Sequence, residues 1–272
     1  MKNNLDWQKK EVVNIFDEAT LWAAPFVKLL LENIPMEPKS KVLDIGFGTG
    51  LPLVELSQRY GEDSTIYGID IWQGGIERTK EKISVMELNN IEIFTQSATS
   101  IPLEDQSIDL VCSNLGVNNF EEKEKVLKET FRVLKKGGSL CITTNPKGTF
   151  DELFEIMEEV ISEMQLTESE IVFKEYINHR GTEQTIIDEF EQVGFETVKI
   201  IADETNMRFV NASALFDHVL IRIGFRESWE KFVPKEFKST FFQKIKNKIE
   251  EKILEKGEFN MVIPMLYFQF KK

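Results

Sequence analysis

The chain has 272 residues, 42% hydrophobic and 29% charged, with a formal net charge of −13, a balance that suits a globular α/β domain with an insertion. No apolar run approaches the roughly 20 residues that span a bilayer, and MKNNLDWQKKEVV lacks the apolar centre of a secretory leader, so no membrane role and a cytoplasmic location are expected. So acidic a chain gains little from a phosphate backbone, which excludes nucleic acid as a general partner.

In chain order, a helical region is predicted from about Trp7 to Leu31, with an apolar face of Phe16, Ala19, Ala23, Val27, Leu30 and Leu31 that Pro25 kinks or divides. KVLDIG predicts strand one, LPLVELSQRYG a helix ended by glycine, STIYGIDI strand two and WQGGIERTKEKISVMEL a second helix. IEIFTQS and SIDLVCSNL predict strands three and four. EEKEKVLKETFRVLKKGG predicts a helix with a glycine stop, and SLCITTN strand five. Strands alternating with helices give a parallel sheet covered on both faces.

Beyond Asn145 the rhythm loosens. FDELFEIMEEVISEM and TEQTIIDEFEQVGF predict helices, and FETVKIIADETNMRFV a long strand with a break. Residues 211–257 predict helix in two or three pieces, with Lys235 to Lys256 as a solvated face of alternating Lys and Glu. FNMVIPMLYFQFKK predicts a last strand that pairs with the preceding one and closes a sheet edge. The organisation expected is a single domain over 1–272, with an N-terminal helical cover at 1–36 and a helical lid at 211–257. Cys112 and Cys141 sit in apolar runs and read as core residues; with His179 and His218 far apart, no metal-ligand spacing exists.

KVLDIGFGTGLP carries the chemistry. Ligands of an open parallel sheet bind beyond the carboxyl ends of its strands. Gly46, Gly48 and Gly50 remove side chains where backbone must approach a ligand, and the helix that follows offers free N–H groups at its mouth. Pro52 suits that first turn. The spacing G-x-G-x-G differs from the dinucleotide pattern G-x-G-x-x-G, and no Gly-Lys-Ser/Thr follows to make a phosphate loop. Asp70 ends strand two about twenty residues on, where an acid takes both hydroxyls of a ribose; its other reading is a helix cap. Trp72 either lies against an adenine ring or anchors the helix start.

KVLDIGFGTG, YGIDI, SIPLEDQSIDLVCSNLGVNNF and VLKETFRVLKKGGSLCIT together resemble the class I S-adenosylmethionine-dependent methyltransferases, most nearly the group of ubiquinone and menaquinone biosynthesis C-methyltransferases. The resemblance covers roughly Asp17 to Thr144. It implies a Rossmann-like seven-stranded, mostly parallel sheet with the last strand antiparallel, helices on both faces, and S-adenosylmethionine as cofactor. The glycine turn would cradle the methionine part, with Asp44 toward the ammonium or bonding the turn backbone, and Asp70 on the ribose. Ile71, Trp72, Ser97, Ala98, Asn114 and Leu115 complete the expected cofactor set. Ser97 stands where related enzymes often carry an acid for the adenine amine, so apolar contact and backbone N–H groups are expected to hold the adenine.

Methyl transfer needs alignment and exclusion of water, and a base only where the nucleophile must lose a proton. Asn118 and Asn119 are expected to hold a polar acceptor, with capping of the next helix as the other reading of Asn119. Trp22, in the stretch TLWAAPF from Thr20 to Phe26, is a further acceptor contact. The histidine pair that related enzymes often have near here is absent. His218, Asn118 and Tyr176 are the candidate catalytic groups. The reading is methyl transfer to a small molecule in a closed pocket, by a monomer or homodimer. Non-catalytic binding of the same cofactor is the alternative, and a nicotinamide-dependent oxidoreductase is disfavoured by the glycine spacing and VLKKGG.

Overall fold

A computed structural model describes residues 6–19 and 21–272. Residues 1–5 of the expected cover, and Thr20 of TLWAAPF, lie outside the described residues.

The opening helical region is two helices, α1 (Lys10–Glu18) and α2 (Ala24–Asn33), with Pro25 in the first turn of the second, where its missing N–H costs nothing. Strands and crossover helices then alternate: β1 (Lys41–Ile45), α3 (Leu51–Tyr60), β2 (Thr65–Ile69), α4 (Gln73–Val85), β3 (Ile91–Phe94), β4 (Ile108–Asn114), α5 (Lys123–Val133) and β5 (Leu134–Thr144). A 3-10 turn, Gly116–Asn118, follows β4. Next come α6 (Asp151–Glu163), α7 (Thr167–Asn178), α8 (Glu183–Glu191), β6 (Glu196–Phe209), α9 (Ala212–Asp217), a π-helical turn at Ile221–Phe225, α10 (Arg226–Glu230), α11 (Lys238–Lys256) and β7 (Phe259–Lys271).

The seven strands form one sheet in the order β3-β2-β1-β4-β5-β7-β6. β1 to β5 pair in parallel, and β7 runs antiparallel to both β5 and β6. The expected Rossmann-like sheet is therefore present, and the last two strands pair at its edge. The central strands are buried on both sides, which is why they read as unbroken apolar runs.

Two expectations need correction. α5 does not run to the glycines: it ends at Val133, and Lys135 to Gly138 belong to β5, as an irregularity held between Leu134, which pairs with Ile108 of β4, and Ser139, which pairs with Leu110, while the Gly137 N–H donates to the Lys272 carbonyl. β6 has no break; it runs unbroken from Glu196 to Phe209 at the edge of the sheet, with its charged residues exposed. The sequence reading also passed over α7, whose Ser169 and Phe173 are its buried positions.

The chain divides into two compact units. The first holds residues 6–144, 182–202 and 265–272. Its core includes Leu43, Ile45, Val111, Leu140, Ile142, Phe268 and Phe270, with the ring of Phe190 stacked on Phe270 at 4.4 Å. Cys112 and Cys141 are buried register partners on β4 and β5, and the Tyr267 hydroxyl donates to the Asn33 carbonyl at 2.9 Å with Cys141 Sγ 3.2 Å away. The second holds residues 145–181 and 203–264. In it α6 packs on α7 and α11 around Phe154, Phe173, Trp229 and Phe241, and Lys244 and Lys248 of α11 pair with Glu163 and Glu159 of α6. Among the described residues, no helix is long and apolar enough to cross a membrane, and no group of three His, Cys, Asp or Glu is placed to hold a metal ion.

Candidate functional site

Asp44 lies in the middle of the sheet, in register with Gly68 of β2 and Cys112 of β4. It is fully buried, and neither carboxylate oxygen has a hydrogen-bond partner among the described residues. Burial first, and the charge of Asp70 second, push its carboxyl up to about 8. A buried acid without a donor is costly to ionise, and such groups concentrate at functional sites.

The glycine turn leaves β1 directly after it. Gly46 has φ +78°, and a Cβ there would stand 3.3 Å from the Cα of Gly116, so the turns after β1 and β4 touch backbone to backbone. Ser113 Oγ secures that contact by donating to the Ile45 carbonyl at 2.7 Å. Gly50 is the residue before α3, with φ +86°; its Cβ would meet Thr79 at 2.7 Å. Thr79 Oγ1 donates to the Gly48 carbonyl at 3.1 Å, and Lys82 Nζ to the Thr49 carbonyl at 2.9 Å. Asp17 of α1, 7% exposed, accepts from both Lys82 and Arg78. One face of α4 thus joins the opening helix to the turn.

Asp70 accepts the Gly48 N–H on Oδ2 at 2.7 Å and the Trp72 N–H on Oδ1 at 2.8 Å. Each oxygen keeps a second lone pair for an outside donor. Ile71 is 75% exposed, an apolar side chain beside an otherwise polar strand end. Trp72 is half-buried; its indole N–H donates to the Trp7 carbonyl at 2.9 Å, and the Trp7 and Phe16 rings meet it edge-on. Ser97 Oγ accepts from the N–H and hydroxyl of Thr99, beside half-buried Ala98.

At the end of β4, Asn114 Oδ1 accepts from Thr143 Oγ1 at 2.7 Å, and Leu115 takes φ +61° where the chain turns. Asn118 and Asn119 are exposed, and Asn118 Oδ1 accepts from the Thr144 hydroxyl. The residue preceding α5 is Glu122, so Asn119 does not cap that helix; it ends the 3-10 turn. Since β1 to β4 are parallel, Asp44, the glycines, Asp70, Ile71, Trp72, Ser97, Ala98, Asn114, Leu115, Asn118 and Asn119 all belong to their carboxyl ends. Trp22 lies before α2, with its ring 6.0 Å from that of Phe26. His218 and Tyr176 belong to the second unit. His218 ends α9 edge-on to Phe209, and burial lowers its imidazole pKa. Burial raises the Tyr176 phenol.

Sequence reasoning did not find Trp7, Thr79, Lys82 or Gly116. Thr79 and Lys82, three apart on one helix face, carried the only periodic hint.

The profile of a family described as a methyltransferase domain matches residues 43–142, from β1 into β5. The segment from β1 into β5 is thus similar to methyltransferase domains. The chain is similar to a demethylmenaquinone methyltransferase from Bacillus mycoides, 34% identical over 119 residues, which are 43% of this chain and 50% of that protein. It is also similar to an arsenite methyltransferase from Halobacterium salinarum, 32% identical over 108 residues, which are 40% of this chain and 28% of that one. The chain therefore spans half or less of the length of these two relatives. A crystal structure of a SAM dependent methyltransferase from Aquifex aeolicus shares the fold, with TM-score 0.55 and 21% identity over 71% of this chain and 92% of that one. S-adenosylmethionine is the cofactor that this domain implies. The residues fit it: the unpartnered Asp44 carboxylate suits its ammonium, and the side-chain-free turn suits its approach.

Proposed function

We propose that this chain transfers a methyl group from S-adenosylmethionine to a small organic acceptor, as a monomer or homodimer in the cytoplasm. The observation that carries the reading is Asp44, a buried carboxylate without a donor beside a turn stripped of side chains. Asp44 faces the ammonium, directly or through water. The N–H groups at the start of α3 face the carboxylate, Asp70 takes the ribose hydroxyls, and Ile71, Trp72 and Ala98 border the adenine. When bound, the cofactor supplies a sulfonium methyl, an electrophile with a good leaving group.

The chain's part is alignment and exclusion of water. Asn118 and Asn119 hold a polar acceptor through their amides. Should the acceptor have to lose a proton, His218 is the base, because burial keeps its imidazole neutral at ordinary pH. Tyr176, kept protonated by burial, is suited to donate instead. The role of 211–257 as a lid is part of this proposal and rests on its place in the sequence between the last two strands. An organic acceptor is favoured over arsenite because both cysteines are buried, and burial pushes the Cys141 thiol up to about 12. Soft thiophilic acceptors need accessible thiolates. A net charge of −13 argues against a nucleic acid acceptor.

The experiment is calorimetry with S-adenosylmethionine and S-adenosylhomocysteine, followed by assay of S-adenosylhomocysteine release with a panel of quinols, phenols and amines. Binding of neither ligand overturns the reading. Binding without release on any acceptor favours cofactor binding without turnover, which Ser97 supports: its hydroxyl stands where a carboxylate would hold the adenine amine more strongly.

A further inference from the structure

Arg180 follows α7, and among the described residues it is the only arginine both shielded from solvent and without a carboxylate within ion-pair distance. Arg59, Arg78, Arg132, Arg208 and Arg226 each pair with an acid, and Arg222 is exposed. This holds in a chain with 46 acidic residues. The one hydrogen bond of Arg180 is long, from an Nη1 donor to the Asn145 carbonyl at 3.4 Å. Its surroundings are not acidic. Lys147 Nζ donates to Asn178 Oδ1 at 2.8 Å and has no ion pair of its own, and the Lys147 N–H donates to the Gly181 carbonyl at 3.0 Å. That bond ties the loop after β5 to the loop after α7, fixing the backbone on which both cations stand. The half-buried Tyr176 ring, packed at 4.8 Å on Phe232, supplies an apolar wall.

A shielded guanidinium without an acid is costly unless something else satisfies it. Its planar fork matches a carboxylate or phosphate with two parallel hydrogen bonds. Burial lowers its pKa, yet a guanidinium stays charged at any ordinary pH.

We propose that Arg180 binds the carboxylate or phosphate of a small ligand with an aromatic or aliphatic body. This anion site does not rest on the methyltransferase reading above.

The test titrates the full chain with benzoate, phenyl phosphate and neutral benzamide, using wild type, Arg180→Met and Arg180→Lys, with S-adenosylhomocysteine affinity and thermal stability measured alongside. The expected result is that one of the two anions binds wild type at millimolar concentration and benzamide does not. Arg180→Met should weaken that binding about tenfold or more, and Arg180→Lys should recover part of it. S-adenosylhomocysteine affinity should hold in both variants, and Arg180→Met should be no less stable than wild type, because it removes an unpaired charge. Which anion binds identifies the head group. The proposal is overturned if both anions fail against wild type, if Arg180→Met binds them equally well, or if both variants lose stability, which would mark a structural role. Anion binding in a protein that binds no S-adenosylhomocysteine would keep the anion site and remove the methyltransferase reading.

Discussion

Asp70 holds the glycine turn by accepting the Gly48 N–H at 2.7 Å, so the acid expected to meet a ribose also shapes the loop expected to meet the methionine end. Asp70→Ala removes both functions. Calorimetry with S-adenosylhomocysteine should show affinity falling about a hundredfold, since charge-assisted hydrogen bonds are worth about 1.5–3 kcal/mol each. Unchanged affinity would remove Asp70 from the site.

Asp44 gives a pH signature. Its carboxyl is raised from 3.8 to about 8 in the folded chain, so between those values the folded state holds a proton that the unfolded state has lost. Stability from this group is therefore full below pH 3.8 and declines as pH rises toward about 8. Asp44→Asn carries no such titration. At pH 8 without ligand it should be more stable than wild type by a few kcal/mol, with the gap closing as pH falls. The same variant should bind S-adenosylhomocysteine more weakly, and wild-type binding near pH 7 should release a proton, visible as a buffer-dependent heat. A variant less stable at pH 8 would contradict the unpartnered carboxylate.

Gly50→Ala should cost about 2–4 kcal/mol, combining a left-handed backbone with a methyl placed 2.7 Å from Thr79. Thr79→Ala on the same chain should return part of the loss, because the double variant opens the space. Chemical denaturation of the four proteins of the cycle measures the coupling.

Asp17→Ala should cost about 3 kcal/mol, because it leaves Lys82 partly buried without an acid and Arg78 with Glu81 alone. Burial works to raise the Asp17 pKa, but hydrogen bonds from Lys82 and Arg78 prevail and hold it below the usual carboxylate range. Its contribution is thus present above the unfolded value and lost as pH falls through the folded one. Since Lys82 also bonds the Thr49 carbonyl, S-adenosylhomocysteine affinity should fall with stability. Denaturant melts and calorimetry on the variant check both.

The sheet and the glycine turn were legible because their rules are local. KVLDI is buried on nearly every side, and three glycines at alternate positions have few uses other than a close backbone approach. The end of α5 was not legible. The glycines after Lys136 look like a helix stop, and only the pairing of Leu134 and Ser139 with β4 on either side of them makes that segment part of a strand. The supports of the site were hidden for a related reason: Trp7 reaches Trp72 across 65 residues, and Asp17 reaches Lys82 across the same span. Such partners depend on the folded path of the chain, which no single window of sequence contains. Arg180 gave no signal in the sequence, because the absence of an acid beside it is a fact about space.

The strand order sets a timetable for synthesis. β6 has a single hydrogen-bonded neighbour, β7, and β7 is made some fifty residues later. Until β7 emerges from the ribosome, β5 presents a bare edge and β6 has nowhere to dock. The parallel half of the sheet can close behind the emerging chain, while this seam waits for the last strand. A nascent chain stalled between β6 and β7 would expose one unpaired strand and one bare strand edge, a natural target for a holding chaperone.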